Sequence, residues 1–170
     1  MSHAPVDVTP ALPADVRAIR RLVEPYAHER ILIAKEWVAY YEAVQEFLVA
    51  RPAGGGDVVG CGALHVMWED LAEIRTLAVA PGYRGRGVGH VIVDGLLERA
   101  RALGLRRVFC LTFEVEFFAR HGFHEIDGTP VSAEVYAELL RSHDDGVAEF
   151  LDLARVKPNT LGNTRMLLEL

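Results

Sequence analysis

Residues 84–90 read Arg-Gly-Arg-Gly-Val-Gly-His, and they follow an apolar run, Ala72–Ala80, that ends in a Pro81-Gly82 turn. Three glycines at alternate positions let the backbone bend so that several N–H groups converge on one point. A helix opening at Val88 adds its unpaired N-terminal donors and the positive end of its dipole. Such a turn is built to hold an anion of diphosphate type. The local charge agrees, because Tyr83–Arg107 carries six arginines against Asp94 and Glu98 in a chain whose net charge is −6. A nucleoside-triphosphate P-loop is excluded, since no Gly-Lys-Ser/Thr follows. A dinucleotide fold fits poorly: the glycine spacing is x-Gly-x-Gly-x-Gly, the motif comes after four or five strands, and no second βαβ half follows.

The remaining reactive side chains are sparser. Cys61 and Cys110 sit in apolar strand-like runs outside any Cys-x-x-Cys pattern, so they read as reduced, buried thiols. His121 and His124 flank Gly122 with no ligand partner at useful spacing, which points to structural or solvated histidines and to no metal. The acidic balance argues against a nucleic-acid partner, which would need phosphate neutralisation. The stretch Phe113–Asp152, with ten acids against Arg120 and Arg141, reads as a solvated face. No basic-then-apolar leader opens the chain and no run reaches the ~18 apolar residues of a membrane span, so a soluble, cytoplasmic protein without a membrane partner is expected. A homodimer is an expectation with no sequence signal of its own.

These residues must be positioned by a regular scaffold. The chain has 170 residues, 51% hydrophobic and 25% charged, and reads as one globular domain over 1–170. Val6–Val8 suggests a short strand. Asp15 opens a helix whose Val16, Ile19, Leu22, Val23 and Tyr26 share one face, with Pro25 near its end. Glu36–Ala43 predicts a second helix, with Trp37 and, later, Trp68 as packing residues. Phe47–Ala50 and Val58–Met67 form an antiparallel pair around the polar, glycine-rich insert at 52–57. Ala72–Ala80 is the next strand. Val88–Leu103 is an amphipathic helix ended by Gly104. Arg107–Phe113 is a buried strand, Val115–His121 a short helix, and Phe123–Ile126 a strand. Ser132 caps a helix running to Arg141. Arg165–Leu170 closes the chain as a strand. The pattern predicts an α/β (α+β) fold, a mixed and mostly antiparallel twisted sheet with helices on both faces.

Arg84-x-x-Gly87-x-Gly89 after a strand, with Phe117-Phe118-Ala-Arg-His-Gly122-Phe123 downstream, resembles the GCN5-related N-acetyltransferases (GNAT). The resemblance spans Val8 to Leu170 and implies acetyl-CoA as cosubstrate. It implies that the backbone of Leu77, Ala78 and Val79 pairs with the pantetheine arm. The backbone of Arg84, Gly85, Arg86, Gly87, Val88, Gly89 and His90 holds the diphosphate, and Phe118 borders the cofactor. A splay between the strands at Ala72–Ala80 and Arg107–Phe113 admits the thioester.

A narrower likeness is carried by Gly60-Cys-Gly-Ala-Leu64, Glu73-Ile-x-x-Leu-Ala-Val79, Leu111-Thr112, Ile31-Leu-Ile-Ala-Lys35 and the C-terminal Val147–Leu153 and Val156–Leu168. These are similar to the acetyltransferase domain of N-acetylglutamate synthases, most of all the short actinobacterial members, which make N-acetylglutamate in the first step of arginine biosynthesis. The likeness implies roles. The acceptor amine must lose a proton, the developing oxyanion needs donors, and the leaving thiolate needs a proton. Glu73 is the expected base, directly or through water. Thr112, where the synthases carry serine, is the expected donor to the thiolate. The N–H of Leu77 or a near neighbour is the expected oxyanion donor. A dicarboxylic acceptor needs cations at two ends, and the candidates are Lys35, Arg75, Lys157 and Arg165. His65 stands where many synthases carry a carboxylate-binding lysine, and Asn163-Thr164 matches an Asn-Ser of the family. Tyr40 and Tyr41 are on the helix that borders the acceptor cleft. The arginine expected before Asn163 is Gly162, so a site with fewer fixed cations is expected to take glutamine as readily as glutamate.

The sequence therefore reads as an amino-acid N-acetyltransferase acting on glutamate or glutamine in a ternary complex. Two rivals are a sister enzyme for another amine or a protein N-terminus, and a non-catalytic module that senses acyl-CoA.

Overall fold

The structure is a computed structural model and describes residues 5–32, 35–156 and 161–170. Its strands are β1 (Val6–Pro10), β2 (Phe47–Pro52), β3 (Gly60–Trp68), β4 (Leu71–Val79), β5 (Arg107–Thr112), β6 (His124–Glu125) and β7 (Thr164–Glu169). All seven join one sheet in the order β1-β2-β3-β4-β5-β7-β6. Only β4 and β5 run parallel, joined by the crossover helix α3 (Val88–Ala102). Every other neighbouring pair is antiparallel. The expected mixed, mostly antiparallel sheet is present.

Side-chain alternation splits the sheet into two buried faces. On one, Val88, Ile92, Val93, Leu96 and Ala100 of α3 pack on Ala72, Ile74, Val108 and Cys110. On the other, Val16, Ile19 and Val23 of α1 (Val16–His28) cover Phe47, Val49, Cys61 and Ala78. The same face is closed further along by α6 (Asp145–Phe150), whose Val147 and Phe150 meet Leu71, Phe109 and Leu167. Helix α6 lies inside the stretch read as a solvated face. Val147, Ala148 and Phe150 of the helix and Leu151 at its C-cap are all buried, and Glu149 is carried inward with them while Asp145 and Asp152 stay exposed.

Two irregularities shape the centre. The β4–β5 ladder holds only from Leu71↔Arg107 to Glu73↔Phe109. Beyond that point β4 runs on to Val79 and β5 to Thr112 unpaired with each other, which is the expected splay. The second irregularity was not foreseen. Thr76 has φ 56°, and the β3–β4 register jumps from Ala63↔Arg75 to Cys61↔Ala78. One extra residue in β4 makes a bulge and reverses the alternation. Ile74 faces α3 before it, and Leu77 and Val79 face α3 after it.

The other elements are α2 (Trp37–Glu42), α4 (Val115–Ala119) and α5 (Ala133–Leu139), each shorter than the sequence suggested. Helix α2 stops because Val44–Glu46 tightens into a 3-10 turn. The strand expected over Phe123–Ile126 contracts to His124–Glu125, since Phe123 turns into the core against Phe118. Ser132 does cap α5, its hydroxyl accepting the Val135 N–H at 3.3 Å. Both cysteines are free and buried, and burial pushes the Cys61 thiol up to about 12.

Candidate active site

The glycine-rich loop stands at the α3 end of the splay. Gly87 is the N-cap of α3 with φ 80°, and Gly85 has φ 72°, left-handed values that a side chain resists. No side chain caps α3, so its first N–H groups face outward. Arg84, Gly85 and Arg86 are exposed, and Val88 is core. Arg84 lies over the ring of Tyr26 at 4.9 Å, and the Tyr26 hydroxyl donates to the Val79 carbonyl at 2.9 Å, so α1 ties the loop to the end of β4. These residues suit a diphosphate: bare helix N–H groups, a flexible backbone and two exposed guanidinium groups.

The aromatic wall beside the loop differs from expectation. Phe118 is 5% exposed and packs edge-on against Phe117 and Phe123, so it belongs to the core and not to a cofactor surface. Phe117 is the residue beside the loop. It stacks on the His90 ring at 4.4 Å, and a Cβ at Gly89 would sit 3.3 Å from it. His90 Nδ1 is 2.8 Å from His121 Nε2, and His121 Nδ1 is 3.2 Å from Asp94. His121 is thus a structural link between α3 and the end of α4.

A cleft opens on the opposite face, lined by Ile31, Leu32, Lys35, Glu73, Arg75, Thr76, Leu111, Gly146, Glu149 and Asn163. Glu73, the last β4 residue paired with β5, is buried. Burial raises its pKa, with the Arg75 guanidinium pulling the other way. Arg75 donates to Glu73 at 3.0 Å and, through Nη1, to both Asp144 oxygens at 2.8 and 2.9 Å. Asp144 is also the N-cap of α6, accepting the Val147 N–H at 2.9 Å. Burial works to raise the Asp144 pKa, but Arg75 and that N–H outweigh it and hold the carboxyl below its usual range. Gly146 leaves room for the clamp, since a Cβ there would fall 2.6 Å from Arg75 Cζ.

Lys35 lines the same cleft, and its pKa is lowered by burial and by Arg75. Glu149 is 8% exposed, and its Oε1 is buried without a partner among the described residues, as is Asn163 Oδ1. Burial, with Glu73 adding to it, pushes the Glu149 carboxyl up to about 8.

The cleft brings together Glu73, Arg75 and Lys35 of the expected residues, and it revises several others. Arg75 is held between two carboxylates, so its terminal nitrogens are not open to a substrate. Arg165 donates to the carbonyls of Gly128, Glu149 and Phe150 and lies over the Phe109 ring, which makes it a structural tie and not a substrate cation. His65 stands opposite Glu73 on β3 but is bound to Glu46 at 2.7 Å, outside the cleft lining. Thr164 faces Thr112 in the β5–β7 ladder, and its neighbour Asn163 reaches the cleft instead. Tyr40 is core against Phe47, Tyr41 is exposed, and neither lines the cleft. Lys157 lies outside the described residues. Thr112 Oγ1 accepts the Glu114 N–H at 2.8 Å, which leaves its own proton to donate. By alternation with Cys110, Thr112 is on the α3 face, whereas Glu73 is on the cleft face.

Sequence reasoning missed Asp144 and Glu149. The signal was the apolar spacing of 147, 148, 150 and 151 behind an aspartate, a capped helix start hidden among acids.

The family model of the Acetyltransferase (GNAT) family matches residues 16–124. The chain belongs to this family. It is an N-acetyltransferase, and its cosubstrate is acetyl-CoA. It is 62% identical to the "Amino-acid acetyltransferase" of Mycobacterium tuberculosis, over 100% of both chains. It superposes on the crystal structure of Rv2747 from Mycobacterium tuberculosis, in complex with CoA and NLQ, with TM-score 0.93 and 64% identity, covering 96% of this chain and 99% of that one. The N-acetylglutamate synthase of Neisseria gonorrhoeae, complexed with coenzyme A and N-acetyl-glutamate, shares the fold at TM-score 0.76 and 22% identity, over 99% of this chain and 36% of that one. The GNAT match stops at residue 124, so the segment carrying Asp144, Gly146, Glu149 and Asn163 lies beyond it.

Proposed function

We propose that the protein acetylates the α-amine of an amino acid with a carboxyl or carboxamide side chain, glutamate or glutamine, by direct attack with both substrates bound. The observation that carries this reading is the pairing of a buried carboxylate and a half-buried lysine in one cleft at the splay, opposite the anion loop. An amino acid presents one amine to deprotonate and one α-carboxylate to neutralise. The likeness to the mycobacterial amino-acid acetyltransferase supports the same acceptor class.

Acetyl-CoA supplies an activated acetyl group. Residues 84–90 hold its diphosphate, and the unpaired edge of β4 at Leu77, Ala78 and Val79 lines its arm. Lys35 neutralises the α-carboxylate of the acceptor. Glu73 takes the amine proton, directly or through water, and burial makes it a stronger base than an exposed glutamate. Arg75 fixes the Glu73 carboxylate and is itself fixed by Asp144. Thr112 gives its proton on the cofactor side of the sheet. The bulge at Thr76 sets the backbone N–H groups that follow it, and Leu77 is the assigned oxyanion donor.

The test is thiol release from acetyl-CoA with a panel of amino acids, spermidine and lysine. Release with glutamate or glutamine and not with the polyamine supports the reading. Release with spermidine or lysine alone identifies a sister enzyme, and no release with any amine overturns the catalytic assignment.

A further inference from the structure

Beside the glycine-rich loop, three side chains form a hydrogen-bonded row that the chemistry above does not use. His90 Nδ1 is 2.8 Å from His121 Nε2, and His121 Nδ1 is 3.2 Å from Asp94 Oδ1. The His121 side chain is 8% exposed, and Phe117 stacks on the His90 ring at 4.4 Å, so both rings are held in place. His90 is the third residue of α3 after the Gly87 cap. A side chain at that position leans toward the helix N-terminus and reaches back to its mouth. The row therefore stands against the main-chain N–H groups assigned above to the diphosphate.

The row has a countable set of protons. The Asp94 carboxylate only accepts, so His121 carries a proton on Nδ1. One proton and no more fits between the two facing nitrogens at 2.8 Å. Those two protons make up the neutral pair. A third can go only to His90 Nε2, whichever ring is drawn as the cation, and the pair is then positive. The positive end of α3 and the exposed Arg84 and Arg86 oppose that charge until an anion arrives. A diphosphate reverses the local field, and the face of Phe117 favours a cation stacked on it.

We propose that the His90–His121 pair takes one proton from solvent as the diphosphate of acetyl-CoA binds, which links cosubstrate affinity to pH, with Asp94 as the positioning residue behind the pair. This rests on the loop being the diphosphate site. The charged groups around the pair are Asp94 from α3 and Arg84 and Arg86 from the loop. Helix α4 contributes Glu116, with Arg120 at its C-cap, and both are exposed. The sign follows from the proton taken up. Binding raises the affinity of the pair for that proton, so the cosubstrate is held more tightly at low pH. The advantage is lost as pH rises through the ionisation of the bound form.

The experiment is titration calorimetry of dephospho-coenzyme A into wild type, His90→Gln and Asp94→Asn from about pH 5.5 to about pH 8.5. This ligand keeps the diphosphate and lacks the 3′-phosphate, whose own ionisation falls in the range. Buffers with different heats of ionisation report the protons taken up. In wild type, binding takes up about one proton at its maximum, and Kd rises by about tenfold from the acid to the alkaline end. His90→Gln binds with no uptake and a Kd independent of pH. Asp94 is 67% exposed, so Asp94→Asn leaves the fold intact. It moves the uptake to lower pH and weakens binding near neutrality by about two- to fivefold. Wild type that binds with no uptake and a constant Kd overturns the proposal, as does the same uptake in His90→Gln. Uptake with coenzyme A and none with dephospho-coenzyme A overturns it too, by placing the proton at the 3′-phosphate. An unshifted uptake in Asp94→Asn removes Asp94 from the row. No heat from wild type with either ligand fails the loop reading itself, a distinct result that removes the proton link with it.

Discussion

The two sides of the sheet solve different problems with different materials. On the α3 side the proposed diphosphate site is made of main-chain N–H groups of one short segment, Arg84 to His90, which runs directly into the first turn of α3. On the cleft side Lys35, the Glu73–Arg75 pair, Glu149 and Asn163 come from several segments of the chain, with Asp144 behind Arg75. A backbone cradle needs only a conformation, which glycine spacing fixes locally. A cleft that distinguishes amines needs side chains from several elements, so it depends on how those elements pack. The family match ends before α6, at residue 124, and the part of the cleft beyond it is where acceptor choice can differ between relatives that share the loop.

Substitutions that strike one side alone test this division. The largest effect is expected for Glu73→Gln. Turnover should fall by about 10²–10⁴-fold, with the acid limb of the rate profile removed. An unchanged rate at any pH would take Glu73 out of proton transfer. Lys35→Ala should raise KM for the amino acid by about tenfold or more while KM for acetyl-CoA stays put, since it removes one charge-assisted contact. Comparable changes in both KM values would deny that the sides are separable. Arg165→Lys should lower stability by about 2 kcal/mol, because one ammonium cannot serve three carbonyls. Thermal unfolding measures it, and an undiminished Tm with a large rise in KM for the acceptor would restore Arg165 as a substrate cation. Thr112→Val should cost least, about tenfold or less in kcat, without altering acceptor preference.

Stability should carry the same signature as the cleft. Glu149 binds its proton more tightly folded than unfolded, so the stability linked to that proton is fully present below about pH 4.5. It is lost as pH rises through about 8. Glu149→Gln has no such loss, and denaturant titrations at increasing pH should show the variant gaining on wild type up to that point and then running parallel. Curves parallel throughout would mean that Glu149 ionises as an ordinary exposed glutamate.

The same contrast explains what the sequence revealed. Residue types alone located the loop, because Gly85 and Gly87 adopt the positive φ angles their spacing implies. The order of strands and α3 followed from apolar periodicity, which is a local property. Glu73 was recognisable through its place on the strand before the loop. The fates of Arg75 and Arg165 were not, since a lone arginine in a strand reads as a free cation until its partners are known. Those partners are Asp144, 69 residues away, and the carbonyls around α6. Phe117 and Phe118 are adjacent, and only the rotation of a five-residue helix decides which faces the loop. The bulge at Thr76 left a trace in the shift of apolar positions from Ile74 to Leu77 and Val79, a change of phase that is legible once looked for.

Titration calorimetry of coenzyme A into wild type, Gly87→Val and Glu73→Gln tests the separation of the two sides most directly. Valine at a φ of 80° closes the approach to the α3 N-terminus, so Gly87→Val should give no measurable heat of binding while remaining folded. Glu73→Gln should bind coenzyme A as wild type does. Normal binding by the valine variant, or lost binding by the glutamine variant, would contradict the account.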